Sequence, residues 1–182
     1  MEINEEVINI IKAGGVGVIP TDTIYGIVGS ASNEDAINRI HQIKNRPTDK
    51  KMIVLIGNRG QLPALGIIPN DKEIQALNEF WPGPVSIILS TDGSMPFLHA
   101  DDNTLGVRLP AETWLRQLIN QTGPIVATSA NVAGEPTPRD IELIKQQLPG
   151  LDFYVEGPTN SEPSRLGKID KNGDVFWLRG MS

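Results

Sequence analysis

The chain has 182 residues and a formal net charge of -6 at pH 7, and it contains no cysteine. The length predicts a single domain over residues 1–182, the charge argues against strong long-range attraction to nucleic acid, and the missing cysteines exclude disulfides, thiolate zinc sites and cysteine nucleophiles. No apolar run reaches the roughly 18 residues of a membrane-spanning helix, and residues 1–12 lack the basic start of a signal peptide, so we expect a cytoplasmic protein without a membrane partner.

The predicted elements alternate between helices and strands. Asn4 is placed to cap a helix that Gly14 ends, and Asn33 is placed to cap a second helix that Pro47 ends. Strands are predicted at 16–19, 52–56, 85–89, 105–109, 125–127, 153–156 and 175–178, further helices at 70–80 (opened by a capping box of Asn70 and Glu73), 112–121 and 141–148, and mobile loops at 92–103 and 157–173. The alternation predicts an α/β fold.

Two common nucleotide-binding motifs are absent from the sequence. The Gly-Lys pair at 167–168 is followed by Ile169, where a P-loop has Ser or Thr, and Pro20 stands where a dinucleotide fingerprint has its third glycine. His41 and His99 are isolated, without the spacing of metal ligands, so we predict no protein-held metal site. His41 is predicted to lie at the surface or at the boundary of the core.

The segment PTDTIYG at 20–26 follows a predicted strand directly. It places the hydroxyls of Thr21 and Thr23 and the carboxylate of Asp22 at a strand end, where open α/β sheets bind ligands. The alternative is an ordinary turn, because Asp and Thr favour such positions. The local sequence supports both interpretations equally.

Cations are concentrated at the exit of the second helix, where Lys44, Arg46, Lys50 and Lys51 lie close together. Composition alone favours a solvated surface for such a run. The chemical hypothesis is an anion site, because phosphoryl and nucleotidyl transfer need cations that hold the phosphates and neutralise developing charge. Lys44 and Arg46 are expected at an exposed helix end.

Two further segments carry polar groups on predicted strands. The tetrapeptide of Thr128, Ser129, Ala130 and Asn131 follows an apolar strand, and its small side chains and backbone N–H groups could form an anion nest. Arg108 lies inside the apolar strand at 105–109. A buried arginine needs an anionic partner, which is either a structural carboxylate or a substrate.

Six segments resemble, in order and spacing, the TsaC/YrdC family of threonylcarbamoyl-AMP synthases in its short, single-domain form. These segments are PTDTIYGI at 20–27, KNRPTDK at 44–50, the apolar strand after it, WPGPVSIIL at 81–89, GVRLP at 106–110 and TSANVAGEP at 128–136. The similarity extends from about residue 14 to the end of the chain. The resemblance implies an open, twisted, mixed α/β sheet with flanking helices and a large concave basic cleft.

The resemblance also implies the substrates and the site. The substrates are ATP, L-threonine and bicarbonate, with Mg²⁺, and the catalytic residues are Lys44 and Arg46. The implied ATP-binding residues are Lys44, Arg46, Lys50, Thr128, Ser129 and Asn131, and the implied threonine-binding residues are Thr21, Thr23, Arg108 and Ser164, with the choice between the two threonines open. One departure is Arg165, which follows Ser164 where many family members have threonine.

The expected reaction joins the three substrates into threonylcarbamoyl-AMP and releases pyrophosphate. The roughly 46 residues after Pro136 are too few for a second substantial domain, so we expect transfer to tRNA by a separate complex and at most weak RNA binding by this chain. Two alternatives stay open: a related carbamoyl-adenylate enzyme, as in hydrogenase maturation, and a non-catalytic binder of structured RNA.

Overall fold

The structure is a computed structural model that describes residues 4–45, 47, 51–98, 102–132, 134–160 and 162–180. Its α-helices are α1 (Glu5–Lys12), α2 (Glu34–Ile43), α3 (Asp71–Asn78), α4 (Thr113–Thr122) and α5 (Ile141–Gln147), and short 3₁₀ turns lie at Arg59–Gln61 and Pro63–Leu65. Its strands are β1 (Gly17–Ile19), β2 (Gly26–Ser30), β3 (Ile53–Leu55), β4 (Val85–Ser90), β5 (Thr104–Arg108), β6 (Ile125–Ser129), β7 (Phe153–Tyr154), β8 (Arg165–Ile169) and β9 (Val175–Arg179).

The strands of the described residues form one nine-stranded sheet in the order β7-β1-β2-β6-β3-β5-β4-β8-β9. The pairs β1–β7, β3–β5 and β4–β8 are parallel, and the other neighbouring pairs are antiparallel. The predicted α/β class and the mixed sheet are therefore confirmed.

Helices cover both faces of the sheet. On one face, α2, α3 and α5 pack on the larger core cluster. On the other face, α1 and α4 pack on a smaller cluster at one end of the sheet. On this second face the register pairs Ile53 with Ala127 and Leu55 with Arg108, so side chains of β3, β5 and β6 point the same way. That surface carries the candidate site.

Asparagine side chains cap the starts of α1, α2 and α3. The Asn4 side chain accepts from the N–H of Glu6, and the Asn33 side chain accepts from the N–H of Ala36. At α3, Asn70 and Glu73 form the predicted capping box in both directions. These bonds satisfy N–H groups that a helix start leaves unpaired, which explains why the helix starts were readable from the sequence.

Two strands were not predicted. The strand β2 has the sequence GIVGS, whose glycines weaken the strand signal, and all five of its residues are buried. The strand β8 lies within the predicted mobile loop at 157–173, so that prediction was wrong for Arg165–Ile169. A Cβ at Gly167 would lie 3.3 Å from the Trp177 ring, so glycine lets this ring pack closely on β8. Tertiary contacts, rather than local pattern, specify both strands.

The surface prediction for His41 was also wrong. Its residue is 7% exposed on the inner side of α2, and its Nδ1 has no hydrogen-bond partner within the described part of the chain. His99 lies outside the described residues. None of the described helices is both long and apolar enough to cross a membrane.

Candidate active site

A cavity of about 450 Å³ brings the predicted site residues together on the second face of the sheet. Its lining includes Thr21, Thr23, Arg108, Thr128, Ser129, Asn131 and Ser164 from the predicted set. It also includes Glu135, Pro136, Thr137 and Arg179, to which the sequence analysis assigned no role. Segments that are distant in the chain thus meet at one site because β2, β6, β3 and β5 are neighbours in the sheet.

The two threonines of the segment at 20–26 form a directed hydrogen-bond chain. The Thr21 hydroxyl donates to the Ile24 carbonyl oxygen at 2.7 Å and lies 2.8 Å from the Thr23 hydroxyl. Because a hydroxyl has one proton, the Thr23 hydroxyl donates to Thr21 Oγ1. Arg108 Nη1 in turn donates to Thr23 Oγ1 at 2.9 Å. The segment is an ordered turn that also lines the cavity, and its role in ligand binding stays a prediction.

Arg108 is buried beside a carboxylate, at 4% residue exposure. Its Nη2 lies 3.4 Å from Asp22 Oδ1, while Asp22 Oδ2 accepts from the N–H of Ala111 at 3.0 Å. Within the described residues, neither Arg108 Nε nor Asp22 Oδ1 has a hydrogen-bond partner. The structural carboxylate that a buried arginine needs is therefore present, and the guanidinium keeps hydrogen-bonding capacity.

The charges around Arg108 act in opposite directions. Burial lowers the pKa of its guanidinium, the Asp22 carboxylate raises it, and the nearby Arg179 charge lowers it again. Arginine keeps its charge in proteins despite such shifts. Two arginines that line one cavity, with one carboxylate beside them, suit the binding of an anionic group.

Ser164 lies on the far side of Arg179, at the start of β8. Its residue is 8% exposed, and its hydroxyl is 2.9 Å from that of the fully buried Ser86. Arg179 donates to the Ser164 carbonyl oxygen through Nε at 3.2 Å and through Nη2 at 3.0 Å. The guanidinium of Arg165 stacks 3.7 Å from the centre of the Trp177 ring, so Arg165 packs on β9.

Lys44 connects the end of α2 to the segment at 128–131. Its ammonium donates to the Ser129 carbonyl oxygen at 2.9 Å, to the Asn131 carbonyl oxygen, and to Asn131 Oδ1 at 2.8 Å. The residue is 7% exposed, so the expectation of an exposed lysine was wrong. Its contact with a phosphate stays a prediction. Arg46 and Lys50 lie outside the described residues.

The backbone of this segment does not form the predicted anion nest. The N–H of Ala130 donates to the Tyr25 carbonyl oxygen, and the N–H of Asn131 donates to the Ser129 carbonyl oxygen. Thr128 and Ser129 belong to β6, which is longer than predicted. These N–H groups are therefore engaged within the protein, and the side chains provide the polar lining.

Some lining residues had a weak sequence signal. Arg179 ends an apolar strand, as Arg108 does, and that shared pattern could have marked it. Glu135 and Thr137 lie in a Pro-rich loop, where nothing in the pattern marks a binding role. The described residues contain no group of three or more His, Cys, Asp and Glu that could hold a metal ion.

A family model matches most of the chain. The model of the Sua5/YciO/YrdC family, described as "Telomere recombination", matches residues 9–174. The chain belongs to this family. This assignment confirms the family that the six sequence segments indicated.

Curated relatives in the Sua5/YciO/YrdC family are named as threonylcarbamoyl-AMP synthases. The Bacillus subtilis enzyme is 32% identical over 87% of this chain and 46% of its own length. A Pseudoalteromonas translucida enzyme is 31% identical over 93% of this chain and 94% of its own length, and a putative synthase from Methanocaldococcus jannaschii is 31% identical over 98% and 84%. The chain spans about half the length of the Bacillus subtilis relative.

Solved structures in the Sua5/YciO/YrdC family share the fold. Pyrococcus abyssi Sua5 complexed with L-threonine is 27% identical, with a TM-score of 0.84, and the match covers 96% of this chain and 52% of the other. Escherichia coli YciO also has a TM-score of 0.84, over 96% of this chain and 86% of its own, and its 22% identity supports the fold alone. The open mixed sheet with flanking helices is thus confirmed, and its basic character stays a prediction.

Proposed function

We propose that the protein is an L-threonylcarbamoyladenylate synthase that converts ATP, L-threonine and bicarbonate into threonylcarbamoyl-AMP and pyrophosphate. The observation that carries the proposal is the cavity lined by two arginines and several hydroxyls. A relative that matches this chain over 94% of its own length is named as a synthase of this kind. Pyrococcus abyssi Sua5, which shares the fold, has been seen with L-threonine bound. The cavity volume of about 450 Å³ is within the usual size range of small-molecule sites.

In the proposed reaction, the unprotonated threonine amine attacks the carbon of CO₂ and loses a proton to give a carbamate; with bicarbonate as the carbon source, water leaves instead. A carbamate oxygen then attacks the α-phosphorus of ATP, the bond from that phosphorus to the bridging oxygen of the β-phosphate breaks, and pyrophosphate leaves. The protein needs to position two anions and offset their repulsion. Arg108 and Thr23 would hold the threonine carboxylate, and Arg179 would stand nearer the phosphates.

We propose Mg²⁺ as the accompanying ion, bound to the phosphate oxygens of ATP. Among the described residues, Glu135 lines the cavity and Asp22 is the charge partner of Arg108. Hard oxygen ligands from a phosphate chain and water suit Mg²⁺, which often binds to proteins through few carboxylates. On this proposal the ion reaches the site as part of its substrate.

The test is incubation of the purified protein with ATP, L-threonine and bicarbonate, followed by mass spectrometry for threonylcarbamoyl-AMP. Pyrophosphate release should require both L-threonine and bicarbonate, because the carbamate is the nucleophile. Release that persists after rigorous removal of bicarbonate would indicate ordinary amino-acid adenylation instead. Release with carbamoyl phosphate in place of both would indicate the related carbamoyl-adenylate chemistry.

We further propose that a separate transferase complex in the cytoplasm carries the threonylcarbamoyl group to tRNA. The net charge of -6 works against tight independent capture of tRNA, which leaves at most weak binding in the cleft. The purified protein should therefore leave tRNA unmodified when supplied with all three substrates, and a cell extract should restore modification. Stoichiometric modification by the protein alone would contradict this assignment.

A further inference from the structure

The starting observation is how completely the Lys44 ammonium is bonded to the protein. An ammonium group has three N–H donors, and the structure gives Lys44 three oxygen partners on Ser129 and Asn131. The residue is buried at 7% exposure and is absent from the cavity lining. These acceptors are two backbone carbonyl oxygens and one side-chain amide oxygen of the segment that forms the cavity wall.

Asn131 bonds both to the Lys44 ammonium and to other residues of the same segment. Its Oδ1 accepts from Lys44 and from the Ser129 hydroxyl at 2.6 Å, while its Nδ2 donates to the carbonyl oxygens of Val132, at 2.9 Å, and Glu135. The amide orientation is fixed because an ammonium must face Oδ1 and carbonyls must face Nδ2. One side chain thus joins the end of β6 to the turn at 134–135.

We call residues 129–137 the wall loop, of which residue 133 lies outside the described part. It supplies Ser129, Asn131, Glu135, Pro136 and Thr137 to the cavity lining. The described residues of the wall loop after β6 belong to no helix or strand, so side-chain bonds contribute to holding its shape. Asn131 is the hub of these side-chain bonds. It is bound by the Lys44 ammonium, which comes from the end of α2, 87 positions earlier in the chain.

We propose that Lys44 is a positioning residue that acts through Asn131 to hold the wall loop, rather than a cation that binds the reacting phosphates. This inference deepens the proposed function and rests on it for its kinetic consequence. Arg46, Lys50 and the two lining arginines are then the candidates for charge neutralisation. A lysine suits the positioning task, since its compact ammonium group offers three donors to three converging oxygens.

The first experiment needs no substrate and uses hydrogen–deuterium exchange on the whole protein. In Lys44→Met, peptides that cover the wall loop should exchange at least about ten-fold faster than in the wild type, because the N–H of Glu135 bonds within this loop. Peptides of β4 and β8 should keep their rates. Lys12→Met, which removes an exposed lysine from the last turn of α1, is the matched control and should change neither region. Unchanged wall-loop exchange in Lys44→Met would overturn the proposal.

The second experiment is a double-mutant cycle on kcat/KM for ATP, with Lys44→Met, Asn131→Ala and the double variant, each normalised to folded protein. If Lys44 acts through Asn131, the double variant should lose about as much as the worse single variant. Losses that multiply would show that Lys44 makes its own contact with the reacting groups and would overturn the inference. Lys44→Arg, which keeps the charge and several donors, should recover part of the activity and of the exchange protection.

The two experiments separate this inference from the proposed function. A wild-type protein that makes no adenylate would contradict the synthase assignment, while the exchange rates would still decide whether Lys44 holds the wall loop. If Lys44→Met fails to fold, Lys44→Arg carries both measurements. Normal wall-loop protection in that variant, together with a large loss of kcat/KM that adds to the loss from Asn131→Ala, would contradict the positioning role.

Discussion

Two buried cations at the cavity differ in how fully the protein satisfies them. The Lys44 ammonium donates to three oxygens of Ser129 and Asn131 in the wall loop, and Lys44 does not line the cavity. Arg108 lines the cavity, donates one hydrogen bond to Thr23 and lies 3.4 Å from Asp22, with its Nε lacking a partner in the described residues. The comparison contrasts a buried ammonium that bonds to the wall loop with a buried guanidinium that forms part of the cavity lining.

The difference follows from the partner chemistry. Carbonyl and amide oxygens converge on a compact ammonium group and can use all of its donors. A planar guanidinium has five N–H donors, and one neighbouring carboxylate cannot accept from all of them. The remaining N–H groups suit a carboxylate or a phosphate. Burial does not distinguish Lys44 from Arg108, at 7% and 4% exposure, whereas their hydrogen-bond partners do.

Replacing Arg108 should have the largest effect on the stability of the protein. We expect Arg108→Met to lower the free energy of unfolding by about 3–5 kcal/mol, because the buried Asp22 carboxylate loses its charge partner. The Asp22→Asn/Arg108→Met double variant should recover part of this loss, since it leaves no uncompensated charge. Urea unfolding at pH 7 measures both. An Arg108→Met protein as stable as the wild type would show that the pair does not hold this side of the cavity.

Two substitutions in the wall loop should lower the stability of the protein by different amounts. Asn131→Ala should cost about 2–3 kcal/mol, because the buried Lys44 ammonium loses its side-chain acceptor and the Val132 and Glu135 carbonyl oxygens lose the Nδ2 donor, whereas Ser129→Ala should cost about 1 kcal/mol. Thermal and urea unfolding of the two variants side by side provide the measurement. Equal, small losses would mean that the loop keeps its shape without the Asn131 hub.

A smaller effect should distinguish the two threonines. The Thr23 hydroxyl accepts a hydrogen bond from Arg108, whereas the Thr21 hydroxyl bonds to the Thr23 hydroxyl and not to Arg108. We expect Thr23→Val to raise KM for L-threonine about ten-fold, which corresponds to about 1.4 kcal/mol, and Thr21→Val to raise it only a few-fold. Thr23→Ser keeps the hydroxyl and is the matched control. The opposite order would place the substrate nearer Thr21.

The smallest effect should come from a partly exposed pair outside the cavity. A hydrogen bond from Arg39, supported by the N–H of Val16 and opposed by burial, holds the pKa of the Asp152 carboxyl below its usual value. A lowered pKa of an acid in the folded state contributes stability above about pH 4, and that contribution is lost as the pH falls through the folded-state value. Asp152→Asn should therefore flatten the loss of stability between about pH 4 and pH 2. An unchanged acid profile would contradict the assignment.

The sequence predicted some features well because they are local. The asparagine caps at Asn4, Asn33 and Asn70 sit immediately before the helices that they begin, so short patterns were sufficient. The convergence of the motifs in one cavity was predictable only through the family resemblance. The burial of Lys44 was not predictable, because its partners are 85 and 87 positions away and depend on which strands are neighbours. The strand β8 was missed for a related reason, since its order depends on β4 and β9.

The sheet order has a consequence for synthesis of the chain on the ribosome. The strand β1 has one neighbour, β2, that follows within a few residues, while its other neighbour, β7, is made much later, as the 136 positions between Val16 and Asp152 illustrate. At a translation rate of about 5–20 residues per second, the emerging β1–β2 hairpin waits on the order of ten seconds for this partner. During that interval an apolar strand edge is open to wrong pairing. Slowed elongation or limited chaperone supply should therefore lower the yield of soluble protein more than the stability of the finished fold would suggest.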